Sequence, residues 1–338
     1  MNLYEQQVSN RRKTWLIMIA FVVFLLILGL GFDAFYVGAA GGSLPIGTLA
    51  ALGVGSVSAL ASYYNGDRAV LAATSARPIE EVAAAASDAG KLKCRQLENI
   101  VDEMAIAAGL PRPRVYVVPD ADPNAFATGR GPERSSIAVT RGLLDTLDRE
   151  ELQGVVAHEM SHIRNLDIRV MTVVAALVGA IALLSDWARR GMMWGGGSRR
   201  RNGDRGSGGS GVIGIVLFVI WLAAIMLAPF LAQMLAMMVS RQREYLADAS
   251  GAELTRNPIG LAQALEKIEG AVAPTEAVKR GSAHLCIADP LGRRLNIKEG
   301  FWSDLFASHP PMAARIAALK AMAFQCTRLS QSSARPPE

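Results

Sequence analysis

Residues 14 to 32, TWLIMIAFVVFLLILGLGF, run for nineteen positions without a charge, and no other stretch limits the possible folds so sharply. A helix needs about 20 apolar residues to cross the hydrocarbon layer. In water the same helix would be apolar on every side, with nothing to cover it. A transmembrane helix is therefore expected. Arg11, Arg12 and Lys13 precede the run as they would in a secretory signal, yet the run is too long for a signal's apolar core and no clean small-residue cleavage site follows.

Residues 35 to 64 form a second uncharged stretch, rich in Gly, Ala and Ser. Small residues let helices approach closely in a bilayer, so this stretch is expected to pair with the first. Asp33 is the one charge between them, whereas Arg68, Arg77, Lys91, Lys93 and Arg95 follow the second. The positive-inside rule places both outer flanks in the cytoplasm. A composition of 51% hydrophobic and 19% charged residues fits a membrane protein better than two soluble domains. The net charge of +5 comes with no nucleic-acid recognition motif. Juxtamembrane basic residues explain it through topology and anionic lipid, so the expected partner is the bilayer and not nucleic acid. Cys94, Cys286 and Cys326 are far apart and odd in number, which argues against a disulfide framework.

The chain after the hairpin reads as a mixture of helices and a small sheet. A helical run is expected over about 89 to 108, and RVYVV at 114 to 118 reads as a strand. NAFATG at 124 to 129 and SSIAVT at 135 to 140 read as two further strands joined by the turn-forming GRGPER. Asp148 with Glu151 three residues later forms a capping-box signal for a helix carrying ELQGVVAHEMSHIRN. Two more apolar segments follow, 170 to 184 and 211 to 239, separated by a Gly-, Ser- and Arg-rich loop. The first is short for a span, and true crossings would put the basic loop outside, against the usual bias. The expected fold class is a mostly α membrane protein with transmembrane helices and a split α+β domain with a small β-sheet. Its expected parts are an N-terminal hairpin (1–64), a first half of that domain (65–167), a second hydrophobic pair (168–239), the second half (240–322) and a disordered tail (323–338).

His158-Glu159-Met160-Ser161-His162 is an H-E-x-x-H sequence. On a helix the i, i+4 spacing turns both imidazoles to one face, where they can share a zinc ion with Glu159 beside it as general base. A catalytic zinc needs a third protein ligand and an open position. SRQREYLADAS at 240 to 250 supplies Glu244 as that ligand, and Asp248, one helical turn on, can fix the tautomer of a metal-bound histidine. If His158 and His162 share a metal with Glu244, the two catalytic halves lie on one side of the membrane. The intervening apolar pair then crosses twice or not at all.

These motifs resemble those of the HtpX-type heat-shock membrane metallopeptidases, relatives of the CaaX-prenyl endopeptidases. The likeness runs from the first span to about residue 322, through PNAFATGRGP, IAVTRGLL, the H-E-x-x-H helix, SRQREYLADASGAELTRNP and LFASHPPMAARI. It implies a zincin-like domain with one zinc ion facing the cytoplasm of a bacterial inner membrane, and Glu244 as third ligand. It also implies a stress-response role in quality control, with misfolded membrane proteins as substrates. Through it His309 and Arg315 become candidates for oxyanion support or substrate anchoring. Asn124, with NAFATG, is a candidate for an exposed edge strand along which a peptide adds. Two alternatives stay open: a prenyl-protein endopeptidase, and a non-catalytic zinc-binding membrane scaffold. Structural zinc is usually closed by four Cys or His ligands, and here only two His and one Glu are in evidence.

Overall fold

The computed structural model describes residues 3–34, 44–178, 241–271, 285–288 and 310–333. Helix α1 spans Leu3–Phe32 and α2 spans Ile46–Ala73. Their apolar windows, Gln7–Gly31 and Ile46–Ala73, have mean hydropathies of 2.7 and 1.4, so both are long and apolar enough to cross a bilayer. Trp15, Leu16, Ile19, Leu49 and Val57 are exposed on these helices, a surface suited to lipid. The pair packs closely where a Cβ on Gly29 would stand 2.6 Å from the Gly47 carbonyl oxygen and 2.8 Å from Ala51. A larger residue there would push the helices apart. Helix α2 runs to Ala73, beyond the boundary at 64 read from the sequence, because Asp67 and Arg68 fall on its polar final turns.

The sheet has four strands, β1 (Arg77–Pro78), β2 (Arg114–Val118), β3 (Ala125–Gly131) and β4 (Arg134–Thr140), in the order β1-β2-β4-β3. β2 and β4 are parallel; the other two pairs are antiparallel. β3 is thus an edge strand, as the sequence suggested. Around the sheet lie α3 (Ile79–Ala85), α4 (Asp88–Ala108), α5 (Arg141–Thr146) and α6 (Arg149–Arg164). Leu97, Ile100 and Val101 of α4 meet Val155, Val156 and Met160 of α6 and Ile137 of β4 in one core.

After a two-residue turn, residues 167–178 continue as helix α7. Its Val173 and Leu177 pack with Met18 and Phe21 of α1 and Ala59 of α2, tying the hairpin to the catalytic domain. Beyond the undescribed stretch come α8 (Arg241–Thr255), α9 (Pro258–Gly270) and α10 (Met312–Ser333). Helix α10 carries helical backbone into the stretch from 323 that the sequence reading assigned to a disordered tail, since alanines, a methionine and a lysine leading into it favour helix. The loop at 186–210, the apolar segment 211–239 and His309 lie outside the described residues.

Candidate metal centre

Helix α6 begins with a reciprocal capping box. Asp148 Oδ1 accepts from the Glu151 backbone N–H at 3.0 Å, and Glu151 Oε2 accepts from the Asp148 N–H at 2.9 Å. Two of the donors left unsatisfied at a helix start are thereby used. The fixed start sets which face turns inward, and His158, Glu159 and His162 are all buried. The imidazoles stand nearly perpendicular at 88°, with their Nε2 atoms 3.2 Å apart.

Helix α8 brings the third group. Oε2 of Glu244 lies 3.7 Å from His158 Nε2, and Oε1 lies 3.6 Å from His162 Nε2. Ligand atoms from His158, His162 and Glu244 all fall within 4.8 Å of one another. This approach depends on Gly251, one turn beyond Asp248. A Cβ there would stand 3.0 Å from the His158 backbone nitrogen and 3.2 Å from its Cα, so backbone, which cannot yield, holds the two helices at this spacing.

Each histidine is backed through its other ring nitrogen. Nδ1 of His158 lies 2.9 Å from Oδ1 of Asp248, and Nδ1 of His162 lies 3.2 Å from Oδ2 of Asp167. With a proton on each Nδ1, both Nε2 atoms carry lone pairs facing each other across 3.2 Å. A metal ion shared by the two lone pairs resolves that arrangement, as a proton on one ring does without it, so these side chains fit a metal ion. Charge agrees. Glu159, Asp167, Glu244 and Asp248 are buried carboxylates, while Arg243 and Arg315 are buried guanidiniums, a carboxylate-rich setting that favours a bound cation.

Without a metal, burial pushes the Glu159 carboxyl up to about 7, and Glu244 adds to the rise while the backbone of Ala127 opposes it. Both Glu159 oxygens are buried, and among the described residues no side chain hydrogen-bonds them. Burial opposes a charge on His162, but its bond to Asp167 and the field of Glu244 outweigh this and raise it to about 9. Burial lowers His158. Asp248 is held down at about 2: burial works against ionisation, and the Arg315 charge overcomes it.

Arg315 does not line an open oxyanion position. It is fully buried; Nε donates to Asp248 Oδ2 at 2.8 Å, Nη2 to Asp248 Oδ1 at 2.7 Å, and Nη1 to the Ile287 carbonyl at 2.8 Å. Its work is to clamp Asp248, with Nη1 also 3.5 Å from Glu244 Oε2. Asn124 is likewise corrected from exposed to buried. Its Nδ2 donates to the Ala288 carbonyl at 3.1 Å, and its Oδ1 accepts from the Ala125 N–H at 3.0 Å. Residues 285–288 cover that end of β3 through a bridge between Phe126 and Cys286. Asp167 and Gly251 were given no role in the sequence reading. Asp167 follows a break in the helix, where spacing no longer reports a shared face, and a glycine one turn past Asp248 was the one available sign of close approach.

Two helices long and apolar enough to cross a membrane, beside a buried His-His-Glu cluster with a further buried glutamate at its edge, define a membrane metallopeptidase. The chain belongs to peptidase family M48, whose family model matches residues 91–323. It is 42% identical to the "Protease HtpX homolog" of Thermoanaerobacter pseudethanolicus over 320 residues, covering 95% of this chain and 98% of the relative. The protein of the same description from Streptococcus gordonii is 40% identical, covering 95% of this chain and all of the relative. A crystal structure of S. mikatae Ste24p aligns with 94% of this chain and 67% of its own, at 17% identity and a TM-score of 0.45.

Proposed function

We propose that the protein is a zinc endopeptidase with a zincin-like active site, cleaving misfolded or damaged membrane proteins at the cytoplasmic face of a bacterial inner membrane. The observation that carries the chemistry is the pairing of the His158–His162–Glu244 cluster with a buried Glu159 carboxylate to which no side chain among the described residues hydrogen-bonds. His158, His162 and Glu244 would hold the ion, which when bound supplies Lewis acidity toward water and the scissile carbonyl. Glu159 takes the proton of the attacking water at its carboxylate and gives it to the leaving amine. Asp248 and Asp167 hold the two imidazoles in the tautomer that leaves Nε2 free, and Arg315 holds Asp248.

Substrate binding by strand addition is supported at one point of β3. Ala125 O accepts from Ile287 N at 2.9 Å, and Gly129 N donates to Thr172 Oγ1 at 3.0 Å. Ala127 lies between these two outward-facing residues and is the one whose backbone acts on Glu159. An extended peptide pairing there would carry its scissile bond past the carboxylate, with backbone contacts indifferent to side-chain sequence. Such tolerance suits a quality-control enzyme.

The test uses the purified full chain and its Glu159→Gln variant. Both are expected to bind one zinc, while cleavage of an unfolded membrane protein falls about 10²- to 10⁴-fold in the variant. Equal activity in the two overturns the assignment.

A further inference from the structure

The first membrane helix reaches the metal centre directly. Asn10 of α1 is buried, and its Nδ2 donates to the Asn165 carbonyl at 2.9 Å and to Asp167 Oδ1 at 2.8 Å. Both hydrogens of the amide are thereby used. The other oxygen of the same carboxylate, Oδ2, is the one that meets His162 Nδ1 at 3.2 Å. One turn earlier Gln7 Nε2 donates to the Arg164 carbonyl at 2.8 Å, touching the same end of α6 without touching Asp167.

We propose that Asn10, on the membrane-spanning helix α1, is a positioning residue for the metal centre, acting through Asp167 on His162. This rests on the metallopeptidase reading above. Asp167 has a competing partner: Nε of Arg243, a buried guanidinium, lies 3.6 Å from Oδ1. With Asn10 in place, Oδ1 is held by a short hydrogen bond and Oδ2 stays aimed at the imidazole. Without it, Arg243 is the charged side chain nearest Oδ1 among the ion pairs of the described residues, and turning toward that guanidinium takes Oδ2 away from His162. The ring then loses the acceptor that fixes its tautomer and orientation. A polar residue near the end of an apolar helix thus gains a reason to be there, and the enzyme's membrane anchor becomes a part of its active site.

The test follows cobalt(II) in place of zinc in the full chain reconstituted in bilayer discs, comparing the parent with Asn10→Ala, Asn10→Asp and Gln7→Ala. Asn10→Asp keeps the size of the side chain and replaces its donors with acceptors. Both Asn10 variants are expected to release the metal about ten-fold faster, at the low end for residues backing a ligand, with a shifted cobalt absorption band. Gln7→Ala, which loosens the same junction, is expected to match the parent. In an Asp167→Asn background, Asn10→Ala should add no further loss. Should Asn10→Ala fail to fold, Asn10→Asp and Asn10→Ser carry the comparison. Unchanged release and spectrum in the Asn10 variants, or the same change in Gln7→Ala, overturns the inference while leaving the site assignment intact. A parent that binds no cobalt, or a His158→Ala variant that binds it equally well, overturns the site assignment and this inference with it.

Discussion

Glu159 occupies a position that is costly until it is used. Its folded-state value near 7 lies above the 4.5 of an ordinary glutamate. Above pH 7 the carboxylate is ionised in both folded and unfolded chains, and burying it destabilises the metal-free protein by about 3 kcal/mol at 1.36 kcal/mol per unit. As pH falls through 7 toward 4.5 the folded protein takes up a proton first and the penalty disappears. Metal-stripped Glu159→Gln is therefore expected to melt above the metal-stripped parent at pH 8, with the gap closing by about pH 4.5 in thermal unfolding curves. Arg315 behaves in the opposite sense. Arg315→Met leaves Asp248 buried without its clamp, which costs roughly 3–5 kcal/mol for a broken buried pair. A melting temperature within a degree of the parent's would contradict the bidentate geometry.

Among the elements, α6 and α8 form the working unit, and their contact is set by Gly251 against the backbone of His158. Gly251→Val is expected to move Glu244 away from the histidines and to lower zinc affinity at least ten-fold, read by competition with a chromogenic chelator. Much of this unit was legible from local sequence. The Asp148–Glu151 box announced where α6 starts, four-residue spacing put His158 with His162 and Glu244 with Asp248, and alternating β-branched runs marked β2, β3 and β4. The missing parts depend on residues distant in sequence. Asn124 read as exposed because strand pattern reports alternation and not what covers an edge, which here is the segment 285–288. Arg315 read as a candidate for oxyanion support or substrate anchoring because its partner, Asp248, sits 67 positions away. Asn10 gave no local sign at all: its two acceptors lie more than 150 residues on, beyond a turn that interrupts the helical register.

At the scale of the whole molecule, one geometric fact joins topology to chemistry. The N-terminal end of α1 meets the site through Gln7 and Asn10, and near the C-terminal end of α2 Gly66 packs against Thr172 of α7. The centre therefore sits at the end of the hairpin where α1 begins and α2 finishes, opposite the end where Phe32 of α1 and Ile46 of α2 lie. Whichever side of the membrane holds the N-terminus also holds the site. Arg11, Arg12 and Lys13 before α1, and Arg68 and Arg77 near the end of α2, set against Asp33 alone in the connection, are the charges on which the proposed cytoplasmic placement of that side rests. A cysteine introduced at exposed Leu44 should react with a membrane-impermeant maleimide in intact cells, whereas one at Lys93, on α4 beside the catalytic core, should react only after the membrane is opened. The native Cys94 and Cys286 are buried and should contribute little background, and Cys326 is replaced by serine in every labelled variant. The reverse labelling pattern would move the active site to the outer face, and with it the proposed supply of misfolded substrates from the cytoplasmic side. It would leave the metal chemistry untouched, because nothing in the His158–His162–Glu244 geometry depends on which compartment the water comes from.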